Sequence, residues 1–275
     1  MSPLHPTLTR LDDLARELSS DADVLAVLGL GSAGIETDRF DEHSDIDFFV
    51  VVGTSEAKAR YLRDVGWLGG FGGEVSYSFV NDRNGRKGLF ADGLFVEYGV
   101  FTPEELAAIR LAGVRTVWRR DGVTPADQHL PPAPRTALDT VDFHLNEALT
   151  NLYVGLHRQL RGELLTATRF IQVFAVDRVL ALSRLAHEEH LAQPDFFDAT
   201  RRVEQSGQPD GLSLAAMVAG YSRNAEAAQA VLSWLTRHYT PDAVIVGAIK
   251  GLLEQVVTSA DTDHVVRPPT STVKT

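Results

Sequence analysis

Two aspartates, Asp45 and Asp47, head the run Asp45-Ile46-Asp47-Phe48-Phe49-Val50-Val51-Val52. A strand alternates its side chains, so residues two apart share a face. Two carboxylates on one face, beside an apolar strand, can hold a hard divalent cation such as magnesium. Just upstream, a second apolar run, Val24 to Leu30, ends in Gly31-Ser32. A strand-to-helix turn there would offer a phosphate free backbone N–H groups and the positive end of a helix dipole. A phosphate cradle beside a carboxylate pair is what metal-assisted transfer from a nucleoside triphosphate needs.

A third carboxylate is expected across such a site. Glu97, in Leu94-Phe95-Val96-Glu97-Tyr98-Gly99-Val100-Phe101, is an acid in the middle of an apolar strand. Buried without a partner it would be costly; beside metal-bound phosphates it has a reason to be there. The plainer alternative is an edge-strand glutamate facing water.

The stretch Gly29-Leu30-Gly31-Ser32-Ala33-Gly34 also matches G-x-G-x-x-G, a dinucleotide fingerprint. That fold needs an amphipathic crossover helix after the glycines and an acid at the far end of the next strand. Here Ile35 and Phe40 are the only large apolar residues before Asp45, and the next strand ends Val52-Gly53-Thr54. The acids stand at its beginning instead. The G-x-G-x-x-G register therefore reads as accidental, with Gly31-Ser32 as the informative unit, and Gly29→Ala is expected to be milder than Gly31→Ala in its effect on ATP affinity.

The elements that must position these residues follow from periodicity and turn chemistry. Leu8, Leu11, Leu14, Ala15 and Leu18 predict an amphipathic helix over 8–20. Strands are predicted at Val24–Leu30, Ile46–Val52, Glu74–Val80, Lys87–Ala91, Leu94–Phe101 and Arg115–Arg119, and a helix at Ser55–Val65. Asp92-Gly93 signals a hairpin. Thr102-Pro103-Glu104-Glu105 opens a helix with a capping box. Gly69-Gly70-Phe71-Gly72-Gly73 reads as a mobile loop. It lacks the Gly-Lys-Ser/Thr of a P-loop.

A proline-rich stretch at 124–136 reads as a linker between a domain at 1–123 and a helical bundle at 137–260, with a flexible tail at 261–275. In the second half, Leu138, Val141, Leu145, Leu149, Leu152, Leu156 and Leu160 form one helical stripe. Residues 163–187 make a helix apolar on more than one side, and further helices are expected near 211–222, 225–239 and 242–259. No internal repeat is visible. The fold class is α+β: an N-terminal mixed sheet followed by an all-α bundle.

These motifs resemble the nucleotidyltransferase superfamily, the fold of DNA polymerase beta and of antibiotic nucleotidyltransferases. The family pattern is a hydrophobic residue, Gly-Ser, a gap, then Asp-hydrophobic-Asp/Glu-hydrophobic. It is met by Leu30-Gly31-Ser32 and Asp45-Ile46-Asp47-Phe48. Val96 to Leu106 is similar to the third-carboxylate strand and the helix after it. Leu156 to Leu182 is similar to the helical domain of lincosamide nucleotidyltransferases, and aminoglycoside adenylyltransferases share the two-domain plan.

The resemblance implies that Asp45 and Asp47 bind Mg2+ and that Gly31 and Ser32 contact the β- and γ-phosphates of ATP or another nucleoside triphosphate. It makes Asp45, Asp47 and Glu97 the catalytic set, with Glu97 a general base or a ligand to a shared metal. The acceptor would be a small-molecule hydroxyl, such as one on an aminoglycoside or lincosamide in antibiotic resistance, bound between the domains. The alternatives are AMP transfer to a partner protein, as in antitoxins built on this fold, and a nucleotide-binding regulator that has lost catalysis.

Composition narrows the partners. The net charge is -11, from 26 basic and 37 acidic residues, which disfavours non-specific binding to nucleic acid. There is no cysteine, so disulfides, thiolate zinc sites and cysteine nucleophiles are excluded. No leader or membrane span is evident, and the expected setting is the cytoplasm, with a homodimer as the further partner call. Among weaker signals, His187-Glu188-Glu189-His190 has its histidines three apart, where the zinc-protease motif needs four. Asp177-Arg178 reads first as an ion pair and second as a pair facing substrate. Arg161 and Arg169 read as helix-surface arginines.

Overall fold

The computed structural model describes residues 5–109, 111, 113–123, 138–186, 200–201, 203–205 and 212–265, with side chains to 259. The chain divides into two units, Met1–Pro134 and Arg135–Thr275. The stretch 124–136, His187–His190 and residues 266–275 lie outside the described residues.

In the first unit, Leu8, Leu11, Leu14, Ala15 and Leu18 recur at helical spacing and are all buried, giving α1 (Pro6–Leu18). His5 caps it, its Nδ1 accepting from the Thr7 N–H at 3.2 Å. The strands are β1 (Val24–Leu30), β2 (Ile46–Val52), β3 (Val75–Val80), β4 (Gly85–Phe90), β5 (Phe95–Phe101) and β6 (Arg115–Arg119). They form one mixed sheet in the order β3-β4-β5-β2-β1-β6, in which only β2 and β5 run parallel. One face carries Ile46, Phe48, Val50, Val96, Tyr98 and Val100, packed with α1 and with Tyr61 of α2 (Ser55–Arg63).

The opposite face is only partly covered. Leu28, Val51, Phe101, Leu106, Leu111 and Val114 make a small second core there. Leu106 comes from α3 (Pro103–Ala107), which is opened by the predicted capping box: Thr102 Oγ1 accepts from the Glu105 N–H, and Glu105 accepts from the Thr102 N–H.

Two local readings change. The Gly69–Gly73 stretch is no loose loop: Gly66–Phe71 winds into a 3-10 helix, Phe71 is buried, and its carbonyl accepts from Arg10 Nε at 2.7 Å. The buried ring anchors a segment whose glycine content alone suggested mobility. At the Asp92-Gly93 hairpin, the Gly93 N–H donates to Phe90 and Gly93 has φ +90°. Ala91 and Asp92 are therefore the central turn residues, and Gly93 closes the turn in the left-handed region.

The second unit is helical: α4 (Val141–Leu160), α5 (Leu164–Thr168), α6 (Ala175–Ala186), α7 (Leu214–Met217), α8 (Asn224–His238) and α9 (Ala243–Val265). The fold class is α+β, as the sequence indicates. Leu149, Leu152 and Leu156 of the predicted stripe are buried, but Leu138 and Val141 at its head are exposed, because α4 begins only after its Thr140 cap. The predicted helix over 163–187 is interrupted by a π-helical turn, Arg169–Phe174, between α5 and α6. Gln172 in that turn is buried and fully engaged, donating to the Gly220 carbonyl and Asn224 Oδ1 and accepting from the Gly220 N–H. The helix expected at 211–222 is a single turn, and α9 continues past Asp261 to Val265. Among the described residues no helix is long and apolar enough to cross a membrane.

Each unit contains a carboxyl held below its ordinary range. For Glu105 the first cause is the Lys58 ammonium, which donates to both carboxylate oxygens at 2.6 and 2.7 Å. For Asp139 it is His144, with Nε2 at 2.6 Å, followed by Arg184. Both groups take up a proton less readily folded than unfolded. Their contribution to stability is complete above the ordinary carboxylate range and is lost as pH falls through the lowered values. Urea unfolding should therefore show midpoints that drop once pH falls below the ordinary carboxylate range, about pH 4. Lys58→Met should flatten the drop in the sheet unit; an unchanged slope in that variant would remove Lys58–Glu105 as its source.

Candidate active site

Asp47 is the second residue of β2, and register fixes its neighbours. It pairs with Leu30, the last residue of β1, on one side and with Glu97 of β5 on the other. Glu97 also pairs with Lys87 of β4, and Lys87 with Phe79 of β3. Directly paired residues project from the same face. One row, Phe79–Lys87–Glu97–Asp47–Leu30, thus crosses five strands on the less covered face. β5 lies between β4 and β2, so Glu97 is not an edge residue.

Two carboxylates facing each other on neighbouring strands repel. The row answers with a cation: Lys87 Nζ lies 2.6 Å from Glu97 Oε2. Asn81 Nδ2 donates to Glu97 Oε1 at 3.1 Å. The Lys87 ammonium holds its proton more tightly than usual, first through its bond to Glu97 and further through the charges of Asp47 and Asp45. Of the three predicted carboxylates, Glu97 bonds this ammonium directly, while Asp47 and Asp45 act on it through their charge. With side-chain exposures of 32% and 38%, Lys87 and Glu97 remain within reach of a solute.

Asp45 is half-buried and directly precedes β2. The loop leading to it is held by a local turn in which Asp41 Oδ1 accepts from the His43 N–H and the Ser44 hydroxyl, each at 3.0 Å. Arg39 and Glu36 form an ion pair just upstream. Among the described residues no group of three or more His, Asp or Glu side chains stands ready to hold a metal ion.

The glycine turn sits against this row. Gly31 has φ +52°, and a Cβ placed on it would lie 3.4 Å from Asp47 Oδ2. The turn itself is a single 3-10 turn, Gly31–Ala33, followed by another, Thr37–Arg39. So short a turn has no appreciable macrodipole, which corrects the expectation of a helix terminus here. Any phosphate affinity must come from local N–H groups. The run from β1 to β2 is antiparallel, with no α-helix between, and this excludes the dinucleotide unit, whose strands are parallel.

The other glycines are not accidental either. A Cβ on Gly29 would lie 2.1 Å from the Ala33 carbonyl oxygen, and one on Gly34 would lie 2.1 Å from that of Gly113. Both are points of close backbone approach, so the G-x-G-x-x-G spacing is used for packing.

In the first unit Asp47 and Glu97 lie in this row, Gly31 turns against Asp47, and Asp45 directly precedes β2. Ser32 is half-buried in the same turn. In the second unit, Arg178 turns to His144, with Nη1 3.3 Å from Nδ1, and to the Phe143 ring, while Arg169 lies over Phe174. Arg161 caps the exposed end of α4. Lys87 and Asn81 were not singled out by sequence. A two-residue turn at Asp92-Gly93 would set Lys87 opposite Tyr98; the observed hairpin, closed by Phe90 and Leu94, sets it opposite Glu97 instead.

No family profile and no curated protein sequence matches the chain. In structure it is similar to an aminoglycoside 6-adenyltransferase from Bacillus subtilis, at 13% identity and TM-score 0.32, over 96% of this chain and 100% of that one. It is also similar to a nucleotidyltransferase-like protein from Exiguobacterium sibiricum, at 11% identity and TM-score 0.33, over 97% and 95% of the two chains.

The steric distinction between the glycines is measurable. Gly31→Ala meets no clash, and its cost is that of a left-handed alanine, about 1–2 kcal/mol. Gly29→Ala forces the backbone apart and should cost about 3 kcal/mol or more. Urea midpoints should fall further for Gly29→Ala than for Gly31→Ala; equal midpoints would show that the β1 turn yields freely.

Proposed function

We propose that the chain is a nucleotidyltransferase that moves a nucleoside monophosphate, AMP from ATP, onto a hydroxyl of a small molecule and releases pyrophosphate. The observation that carries this reading is the position of Asp47, between the Gly31 turn and Glu97. A group bound at the turn would lie beside one carboxylate, with a second one strand further on.

The donor set fits a hard divalent ion. It offers carboxylate oxygens from Asp45 and Asp47, and the row already draws a cation, Lys87, onto Glu97. Magnesium is usually held by one or two carboxylates, with substrate phosphates and water completing the shell. When bound, it would supply neutralisation of charge on the triphosphate.

The roles of the chain's own residues follow. Backbone N–H groups at Gly31 and Ser32 would hold phosphate oxygens, and Asp45 and Asp47 would hold the cation. The acceptor oxygen bonds to the α-phosphorus, and the bond from that phosphorus to the bridging oxygen of the β-phosphate breaks. The hydroxyl proton passes to a Glu97 oxygen. A carboxylate has about four lone-pair positions, so its bonds to Lys87 and Asn81 leave room for that proton.

Pyrophosphate release should appear with ATP, Mg2+ and some member of a panel of aminoglycosides and lincosamides. Asp47→Asn should abolish it. Glu97→Gln should lower kcat by about 100-fold or more while leaving ATP affinity near wild type. Full activity in Asp47→Asn would remove the metal assignment. A Glu97→Gln defect confined to ATP binding would remove the base.

A further inference from the structure

The row contains a residue that the transfer reading leaves without a task. Lys87 sits next to Glu97 in register, with its ammonium 2.6 Å from Oε2. Its position on β4 is central: the sheet continues to Phe79 on one side and to Glu97 and Asp47 on the other. Without a cation in the row, Asp47 and Glu97 would face each other as two like charges on paired strands.

We propose that Lys87 is the resident counter-ion of the site, neutralising Glu97 in the apo protein and opposing the entry of a divalent cation that arrives without a nucleotide. This rests on the proposed transfer function for its purpose, though not for its geometry. A divalent ion seated on Asp45 and Asp47 brings two positive charges close to the ammonium, and like charges at such range repel. A triphosphate carries enough negative charge to offset both cations. Lys87 thereby couples the two ligands: the metal binds weakly alone and well with the nucleotide. It is a positioning residue, acting on the metal through its charge.

The test is the affinity for Mn2+ alone, read by electron paramagnetic resonance of the free ion, in wild type, Lys87→Met and Lys87→Arg. Removing the charge should tighten Mn2+ binding about ten-fold, and Lys87→Arg should stay near wild type. The gain in Mn2+ affinity on adding a non-hydrolysable ATP analogue should shrink in Lys87→Met. A variant that merely unfolds would lose affinity, so the predicted gain cannot arise from damage. Unchanged or weaker Mn2+ binding in Lys87→Met would overturn the proposal, as would the absence of Mn2+ binding in both proteins.

Failure of the transfer reading looks different. Tighter Mn2+ binding in Lys87→Met, with no pyrophosphate released by wild type for any acceptor, would uphold the counter-ion and discard the reaction.

Discussion

Asp47 and Glu97 leave adjacent parallel strands from the same face, directly opposite each other. Two like charges so placed repel, and water or a counter-charge must make up the difference. Much of the first unit can be understood as support for that pair. The face behind it is filled by Phe48, Tyr98 and their neighbours, with Phe48 and Tyr98 stacked at 5.5 Å. The far half of the carboxylate face is sealed by Leu106, Phe101 and Val51. The near half is left to the charges, and Lys87 closes the row from β4. Glu97 is the one acid in an otherwise apolar strand, at a position where repulsion has to be managed.

The turn after β1 works under a second constraint, that of space. Gly29 and Gly34 allow backbone to approach backbone, and Gly31 turns left-handed beside the Asp47 carboxylate. A side chain at Gly29 or Gly34 would run into the carbonyl of Ala33 or Gly113, so the chain folds back this tightly only on glycine. The same three glycines that imitate a dinucleotide fingerprint therefore serve a sheet of opposite polarity. The composition of the motif reports tight approach, while the direction of the next strand decides what the approach is for.

What could be read in the sequence was mostly local. Strand limits at Val24–Leu30 and Ile46–Val52 follow from apolar runs, and the box at Thr102–Glu105 follows from capping chemistry. The pairing of Asp47 with Glu97 joins residues far apart in the chain and depends on strand order, which no local pattern encodes. Lys87 was out of reach for two reasons: an Asp92–Gly93 turn gives a register one residue off, and its meaning depends on Asp47 arriving from a third strand. Gly69–Gly73 was misread because flexibility was inferred from glycine content, when the burial of Phe71 decides the outcome. The glycine turn was misread as a helix start because Gly-Ser after a strand commonly opens one, and here the chain makes only 3-10 turns before β2.

The helical unit repeats the lesson in another form. A continuous apolar pattern runs through 163–187, yet the backbone widens into a π turn at Arg169–Phe174. Such a turn leaves backbone and side chains out of step with an α-helix, and Gln172 fills the misfit by bridging Gly220 and Asn224. Asn224 in turn donates to Gln159 of α4. Buried amides satisfied on every side specify one packing arrangement more sharply than apolar contacts do. In both units, then, polar groups stand at positions that pattern assigns to the core, Glu97 on a strand and Gln172 on a helix. Gln172 is closed by partners inside the fold, and its role is completed there. Glu97 is partnered yet half-open to solvent, and that difference is the physical reason to look for chemistry at the sheet.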